Sequence, residues 1–264
     1  MTPSDAGDAI GGGAPPRGEL PREPGPLPDR VVVDRTTSIV PFWRVRLAQH
    51  LTDWYCGIRI SKFPEDLRVL EHLLWAQRPE AVVEIGCQFG AGALWYADRL
   101  EALTRYGGAV APLVVAIDID VGEARRALDT VDPDWGRRIV LVEGDAASTE
   151  VAEQVRTALG GRRNCLVVED SAHVYETTLA ALELYSDLVP RGGFFVVEDG
   201  IVDDEELRLA DDWPRGVVPA ITEFLASPAG AQFRQRLDLE LYGITCHPGG
   251  FLQRDADPLP SAGS

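Results

Sequence analysis

From residue 81 onward, short apolar runs alternate with stretches of helical spacing. Ala81–Ile85 (AVVEI), Val114–Ile117, Ile139–Val142, Leu166–Glu169 and Phe194–Glu198 are nearly continuous in hydrophobicity, the pattern of strands buried on both faces. Between them the spacing predicts helices running through about Leu103 and over Glu123–Leu128, Glu150–Leu159 and Tyr175–Leu188. Strand and helix in strict alternation predict an α/β fold, a mostly parallel sheet with helices on both faces. A late pair, about Leu239–Tyr242 and Gly250–Gln253, reads as a hairpin added at the sheet edge. Upstream, Ser38–Leu51 reads as a helix, and Phe63-Pro64-Glu65-Asp66-Leu67 opens another. Proline suits a first turn and acids complement its positive end. Leu67, Leu70, Leu73 and Leu74 continue that helix until about Arg78-Pro79. Residues 31–80 are therefore expected to form an N-terminal helical extension, and 81–254 the main domain.

Composition changes the picture mainly at the ends. Residues 1–30 hold 7 Pro and 6 Gly with little aliphatic periodicity, so they and residues 255–264 are predicted to be disordered tails. With 25 Lys and Arg against 42 Asp and Glu, the net charge is −17. That balance argues against nucleic acid or an anionic membrane surface as partner, since both recruit cations, and it is compatible with divalent metal ions. No apolar run reaches the roughly 18–20 residues of a membrane helix. The start lacks the basic-then-apolar order of a signal peptide. Cys56, Cys87, Cys165 and Cys246 are widely spaced and make no CxxC pair, so a reduced, cytoplasmic setting is expected.

The strand ends carry the chemistry. In Val83-Glu84-Ile85-Gly86-Cys87-Gln88-Phe89-Gly90-Ala91-Gly92 an acid closes a buried strand and glycines turn the chain into a helix. Gln88 breaks the GxGxxG pattern of dinucleotide binders. Glu84 ahead of Gly86 and Gly90 suits instead the ammonium of a methionine-type cofactor. Asp118 ends the next strand, where an acid accepts ribose hydroxyls. Asp145, after the third, is placed to meet an adenine amino group. The fourth and fifth strands end in Glu169-Asp170-Ser171-Ala172-His173 and Glu198-Asp199-Gly200. In strand order 3-2-1-4-5 these ends are neighbours, so Asp170, Glu198 and Asp199 should converge. Three close carboxylates repel strongly unless a cation or protons compensate them, and oxygen ligation selects a hard cation such as Mg²⁺. His173, with an ordinary pKa of about 6.5, is the candidate base. Strand alternation is expected to point Glu169 away from the metal, with competition as a ligand the alternative.

At these residues the sequence resembles a known family. VEIGCQFGAGALWYA, the Asp170–His173 motif, YETTLAALELYSDLVPRGGFFVVEDGIVDDE and the upstream WYCGIRISKFPEDL are similar to the cephalosporin hydroxylase / rhamnosyl O-methyltransferase family, itself similar to macrolide-sugar O-methyltransferases. The resemblance covers roughly residues 52–254. It implies the Rossmann-like fold of class I S-adenosylmethionine-dependent methyltransferases. It implies Mg²⁺ bound by Asp170, Glu198 and Asp199, catalysis by His173 with Asp170, and cofactor contacts from Glu84, Gly86, Gly90, Asp118, Asp145 and Asp170. It also implies a homo-oligomer whose acceptor is a hydroxylated sugar or natural product, as in antibiotic biosynthesis.

Trp54, Tyr55, Lys62 and Trp213 are candidates for an aromatic substrate pocket, and the acid-rich Asp203–Asp212 stretch for a lid; packing and a solvated loop are the respective alternatives. Three competing activities stay open. An N-methyltransferase would share the fold. A non-catalytic subunit of a hydroxylase–methoxylase pair would keep only cofactor binding. An iron hydroxylase would want two histidines and a carboxylate, and only His173 of the four histidines is expected near the cluster.

Overall fold

A computed structural model of the chain describes residues 38–208, 212–243 and 245–255; the predicted tail at 1–30 and residues 256–264 lie outside them. In chain order the extension comprises α1 (Ile39–His50), a small antiparallel hairpin of β1 (Trp54–Tyr55) and β2 (Ile58–Arg59), and α2 (Pro64–Gln77). Next come β3 (Ala81–Ile85), α3 (Ala91–Thr104), β4 (Leu113–Asp118), α4 (Gly122–Val131), β5 (Ile139–Glu143) and α5 (Thr149–Leu159). The remainder is β6 (Cys165–Glu169), α6 (Tyr175–Tyr185), β7 (Phe194–Val197), α7 (Val217–Ala226), β8 (Phe233–Gln235) and β9 (Phe251–Arg254).

One seven-stranded sheet, ordered β5-β4-β3-β6-β7-β9-β8, organises the domain. Its first five positions are parallel and reproduce the expected 3-2-1-4-5 order, while β9 runs antiparallel to β7 and to β8. Each parallel strand is apolar on both faces because each face is covered. Leu70, Leu94, Tyr96 and Leu128 from α2, α3 and α4 pack on one side. Val155, Leu182, Tyr185, Ile221 and Phe224 from α5, α6 and α7 pack on the other.

The late hairpin differs from expectation. The partner of β9 is Phe233–Gln235, not Leu239–Tyr242. Phe233 alone of β8 is buried, which leaves too little pattern to read, whereas the apolar Leu241 and Tyr242 are exposed. Helix α7 was likewise unforeseen. Its Pro219 sits in the first turn, where a missing N–H costs nothing.

The parallel strands end level with one another. Gly86 donates its N–H to Ile117, Asp170 to Ile85, Glu198 to Glu169 and Gly144 to Asp118 at 2.7–2.8 Å. These bonds extend the ladder one residue past each strand, so the residues that follow emerge side by side. The sequence reverses direction across the sheet between β3 and β6, the place where open α/β sheets bind ligands. The extension closes over this edge through Trp43, Leu47, Phe63, Ile201 and Cys246, a separate buried cluster.

Candidate active site

A cavity of about 480 Å³, within the range of small-molecule sites, opens along this edge. Glu84, Gly86, Asp118, Asp145, Asp170, His173 and Asp199 all line it. Gly90 and Glu198 do not. Gly90 begins α3 and faces Ala124 and Leu128 of α4. Of the aromatic-pocket candidates, Lys62 and Trp213 line the cavity, whereas the Tyr55 hydroxyl is spent on Asp98.

On the β3–β5 side, the turn after β3 is held by the acid of β4. Asp118 Oδ2 accepts the N–H groups of Cys87 and Gln88 at 3.1 and 2.8 Å. Glu84 is buried, and its Oε2 has no hydrogen-bond partner among the described residues. Burial, opposed by Lys62 and reinforced by Asp170, Glu198 and Asp118, raises its pKa to about 8. Asp145 fixes its own loop by accepting the Ala147 N–H at 2.9 Å.

On the β6–β7 side stand two carboxylates and an imidazole. His173 Nε2 lies 3.4 Å from Asp199 Oδ2 and 3.9 Å from Asp170 Oδ1. Burial works against the imidazolium, but Asp199, Asp170, Glu169 and Glu198 prevail and raise the His173 pKa. Trp213 donates its Nε1–H to the His173 carbonyl at 3.4 Å, tying the loop before α7 to the site. Glu169 does point away: one oxygen accepts from the Ser171 amide and hydroxyl, the other from the Thr178 hydroxyl at 3.3 Å. It thereby shapes the loop that carries Asp170 and His173.

Lys62 crosses from the extension to this side. Its ammonium donates to Asp170 Oδ2 and Glu198 Oε2, both at 2.6 Å, and is almost fully buried. Burial disfavours that charge, but the two carboxylates hold its pKa well above the ordinary lysine range. Glu198 is therefore turned toward Lys62, with Oε1 buried and without a hydrogen-bond partner among the described residues.

These groups fit a divalent cation. Asp170, His173 and Asp199 each offer one ligand atom within 4.8 Å of the others, and Glu198 Oε1 and His173 Nδ1 are buried with no hydrogen bond to any described residue. The expectation that only His173 among the histidines approaches the cluster needs correction. His247 is buried beside Asp199, with Nδ1 accepting the Asp199 N–H at 3.0 Å, but it does not line the cavity. Asp66, read as an N-terminal acid of α2, is buried too, and accepts from the Thr245 hydroxyl and the Cys246 amide. Nothing in the local sequence marked either residue. The closest signal was the Gly249-Gly250 pair, which lets the chain after His247 lie against β7: a Cβ on Gly250 would come within 1.9 Å of the Val197 carbonyl.

The model of the family described as Rhamnosyl O-methyltransferase/CmcI matches residues 48–255. The chain belongs to this family. Its relatives include the rhamnosyl O-methyltransferase of Mycobacterium leprae (strain TN), 28% identical over 153 residues that make up 56% of this chain and 60% of the relative. That of Mycobacterium tuberculosis (strain ATCC 25618 / H37Rv) is 26% identical over 55% of this chain and 56% of its own. The chain thus aligns with somewhat over half the length of these curated relatives. Among solved structures, apo CmcI-N160 superposes with a TM-score of 0.59 at 20% identity, covering 89% of this chain and 90% of that one. The Mg–SAM form of CmcI-D160 gives 0.57 at 19%, with coverage of 89% and 90%. The fold is the class I methyltransferase Rossmann-like fold. No helix among the described residues is long and apolar enough to cross a membrane.

Proposed function

We propose that this chain is an S-adenosylmethionine- and Mg²⁺-dependent O-methyltransferase acting on a hydroxylated small molecule, a sugar or a natural-product scaffold. The observation that carries this reading is the meeting of Asp170, His173 and Asp199 in the cavity that Glu84, Asp118 and Asp145 also line. Membership of the Rhamnosyl O-methyltransferase/CmcI family and the Mg–SAM form of the CmcI relative support it.

On this reading Glu84 receives the cofactor ammonium, Asp118 the ribose hydroxyls and Asp145 the adenine amino group. Gly86 lines the cofactor side of the cavity and, lacking a side chain, lets the Asp170 backbone lie close beside it. Asp170 and Asp199, with the free oxygen of Glu198, would hold Mg²⁺. Such an ion, when bound, makes an acceptor hydroxyl more acidic and orients it. His173 Nε2 takes the hydroxyl proton while the oxygen lone pair forms the new bond to the methyl carbon. The breaking carbon–sulfur bond returns its electron pair to sulfur, leaving S-adenosylhomocysteine and a methyl ether. A base must start unprotonated, so a cation at Asp170 and Asp199 also serves His173 by offsetting the carboxylates that raise its pKa. Self-association into a homo-oligomer belongs to the same proposal and is checked by sedimentation.

Calorimetry with S-adenosylmethionine, with and without Mg²⁺, followed by transfer of labelled methyl to hydroxylated sugars, tests the reading. Binding of the cofactor with metal-dependent transfer is expected, and His173→Ala should lose transfer while keeping cofactor affinity. Failure to bind S-adenosylmethionine, or full turnover in a chelator, would overturn it.

A further inference from the structure

The last turn of β7 is held from behind by a segment distant in sequence. Ile201 donates its N–H to Cys246 at 3.0 Å, Val197 to Gly250 at 2.8 Å, and Gly250 to His247 at 2.9 Å. Asp66 anchors the same segment from α2, taking the Thr245 hydroxyl at 2.6 Å and the Cys246 N–H at 3.0 Å. At the centre of this clamp His247 is 3% exposed, with its ring edge-on to Phe251 at 5.9 Å.

Asp199 is the residue the clamp controls. It adopts φ +56°, the left-handed region that favours glycine and that another residue holds only where its surroundings fix it. Its N–H would be orphaned there but for His247 Nδ1. Because Nδ1 accepts, the neutral ring carries its proton on Nε2. Among the described residues Nε2 has no hydrogen-bond partner, and it lies among acids, 3.7 Å from Asp66 Oδ2 and 3.9 Å from Glu198 Oε2. The ring therefore sits between two acids of the β7 tip, bonded to the backbone of one and facing the carboxylate of the other.

We propose that His247 is a positioning residue: its Nδ1 holds the Asp199 backbone in the left-handed turn that aims the Asp199 carboxylate at Asp170 and His173. This rests on the metal-site reading of the proposed function and adds a supporting residue to it. Such outer partners tune ion affinity without touching the ion.

The test compares three variants of the full chain. His247→Asn places an amide oxygen near the Nδ1 position, His247→Gln places polar atoms near Nε2 only, and His247→Leu supplies neither. By calorimetry with Mg²⁺ alone, Leu and Gln should weaken affinity by roughly 10–100-fold and Asn by no more than about threefold. S-adenosylmethionine affinity measured without Mg²⁺ should stay near wild type in all three, because its contacts lie on the other strand ends. Equal Mg²⁺ affinity in wild type and Leu, no recovery by Asn, or a matching loss of cofactor affinity would each overturn the inference. Should the wild-type chain itself bind no Mg²⁺, the metal-site reading falls, and hydrogen exchange at the Asp199 amide decides the remainder. Exchange at least about tenfold faster in Leu and Gln but protected in Asn upholds His247 as the brace of that turn; equal rates refute it.

Discussion

Two glycines with the same backbone conformation have very different duties. Gly86 and Gly161 both adopt φ +87°. A Cβ on Gly86 would lie 2.0 Å from the Asp170 carbonyl oxygen, whereas one on Gly161 meets nothing within 4 Å among the described residues. Alanine at 161 should therefore cost only the backbone strain, about 1 kcal/mol, and alanine at 86 on the order of 3 kcal/mol or more. Urea unfolding of the two variants separates contact from conformation; equal losses would mean that β3 and β6 do not approach as closely as the structure has them. The glycine turn was legible in the sequence as a ligand-binding turn, but its second partner, the Asp170 backbone, was not, because that contact exists only once β6 lies beside β3.

Glu84 gives a residue-scale pH prediction. Its pKa is raised from the ordinary 4.5 to about 8, chiefly by burial. A folded-state pKa above the unfolded one means that the folded chain binds the proton more tightly. The stability this confers is full below about 4.5, declines as pH rises, and is gone above about 8. Glu84→Gln cannot ionise, so the ligand-free variant should gain on wild type progressively from pH 5 to pH 8.5. If Glu84 receives the cofactor ammonium as proposed, S-adenosylhomocysteine should stabilise wild type more at pH 8.5 than at pH 6. Denaturation curves at those pH values check both trends. A variant whose stability relative to wild type is flat in pH would show that Glu84 is ionised throughout.

At the scale of elements, the parallel strands were legible because burial on both faces writes itself as an unbroken apolar run. The same rule explains why β8 was not: it contributes one buried side chain, Phe233, beside exposed Arg234 and Gln235. The hairpin β1–β2 has two residues per strand and no period to detect. The acid-rich stretch after β7 was read by charge, as a lid or a solvated loop, yet several of its acids have structural partners. Asp203 accepts the N–H groups of Gly216 and Val218 at 2.7 and 2.6 Å, closing the first turn of α7. Glu205 pairs with Arg215, and Asp204 takes the amides of Glu206 and Leu207. Asp203→Ala should accordingly cost about 1–2 kcal/mol, the range for a lost helix cap. Asp203→Asn should recover part of it. Thermal unfolding of the pair measures this, and a neutral Asp203→Ala would assign α7 its stability from the Ile221 and Phe224 packing alone.

Over the whole molecule, one of the joints between the extension and the sheet is a buried charge. Lys62 reaches Asp170 and Glu198 across separations of 108 and 136 residues, so its role could not be read from any local window. The sequence supplied the converging acids and the need for a compensating cation, and a metal was the natural answer; the structure adds an internal cation at the same place. Removing one partner from a buried ion pair leaves an uncompensated charge and typically costs about 3–5 kcal/mol. Lys62→Met, which keeps the apolar stem, should cost about that much in a chelator, where no metal ion replaces the ammonium that Asp170 and Glu198 share. With Mg²⁺ present the loss should shrink, because a divalent ion among the same carboxylates replaces the missing charge. Urea unfolding with and without Mg²⁺ in both proteins closes the cycle. If the variant is as stable as wild type in chelator, Lys62 is not the counter-ion of the site. If Mg²⁺ fails to narrow the gap, the ion and the lysine do not act on the same carboxylates, and the Asp170–Glu198 pair belongs to the joint between extension and sheet and not to the metal.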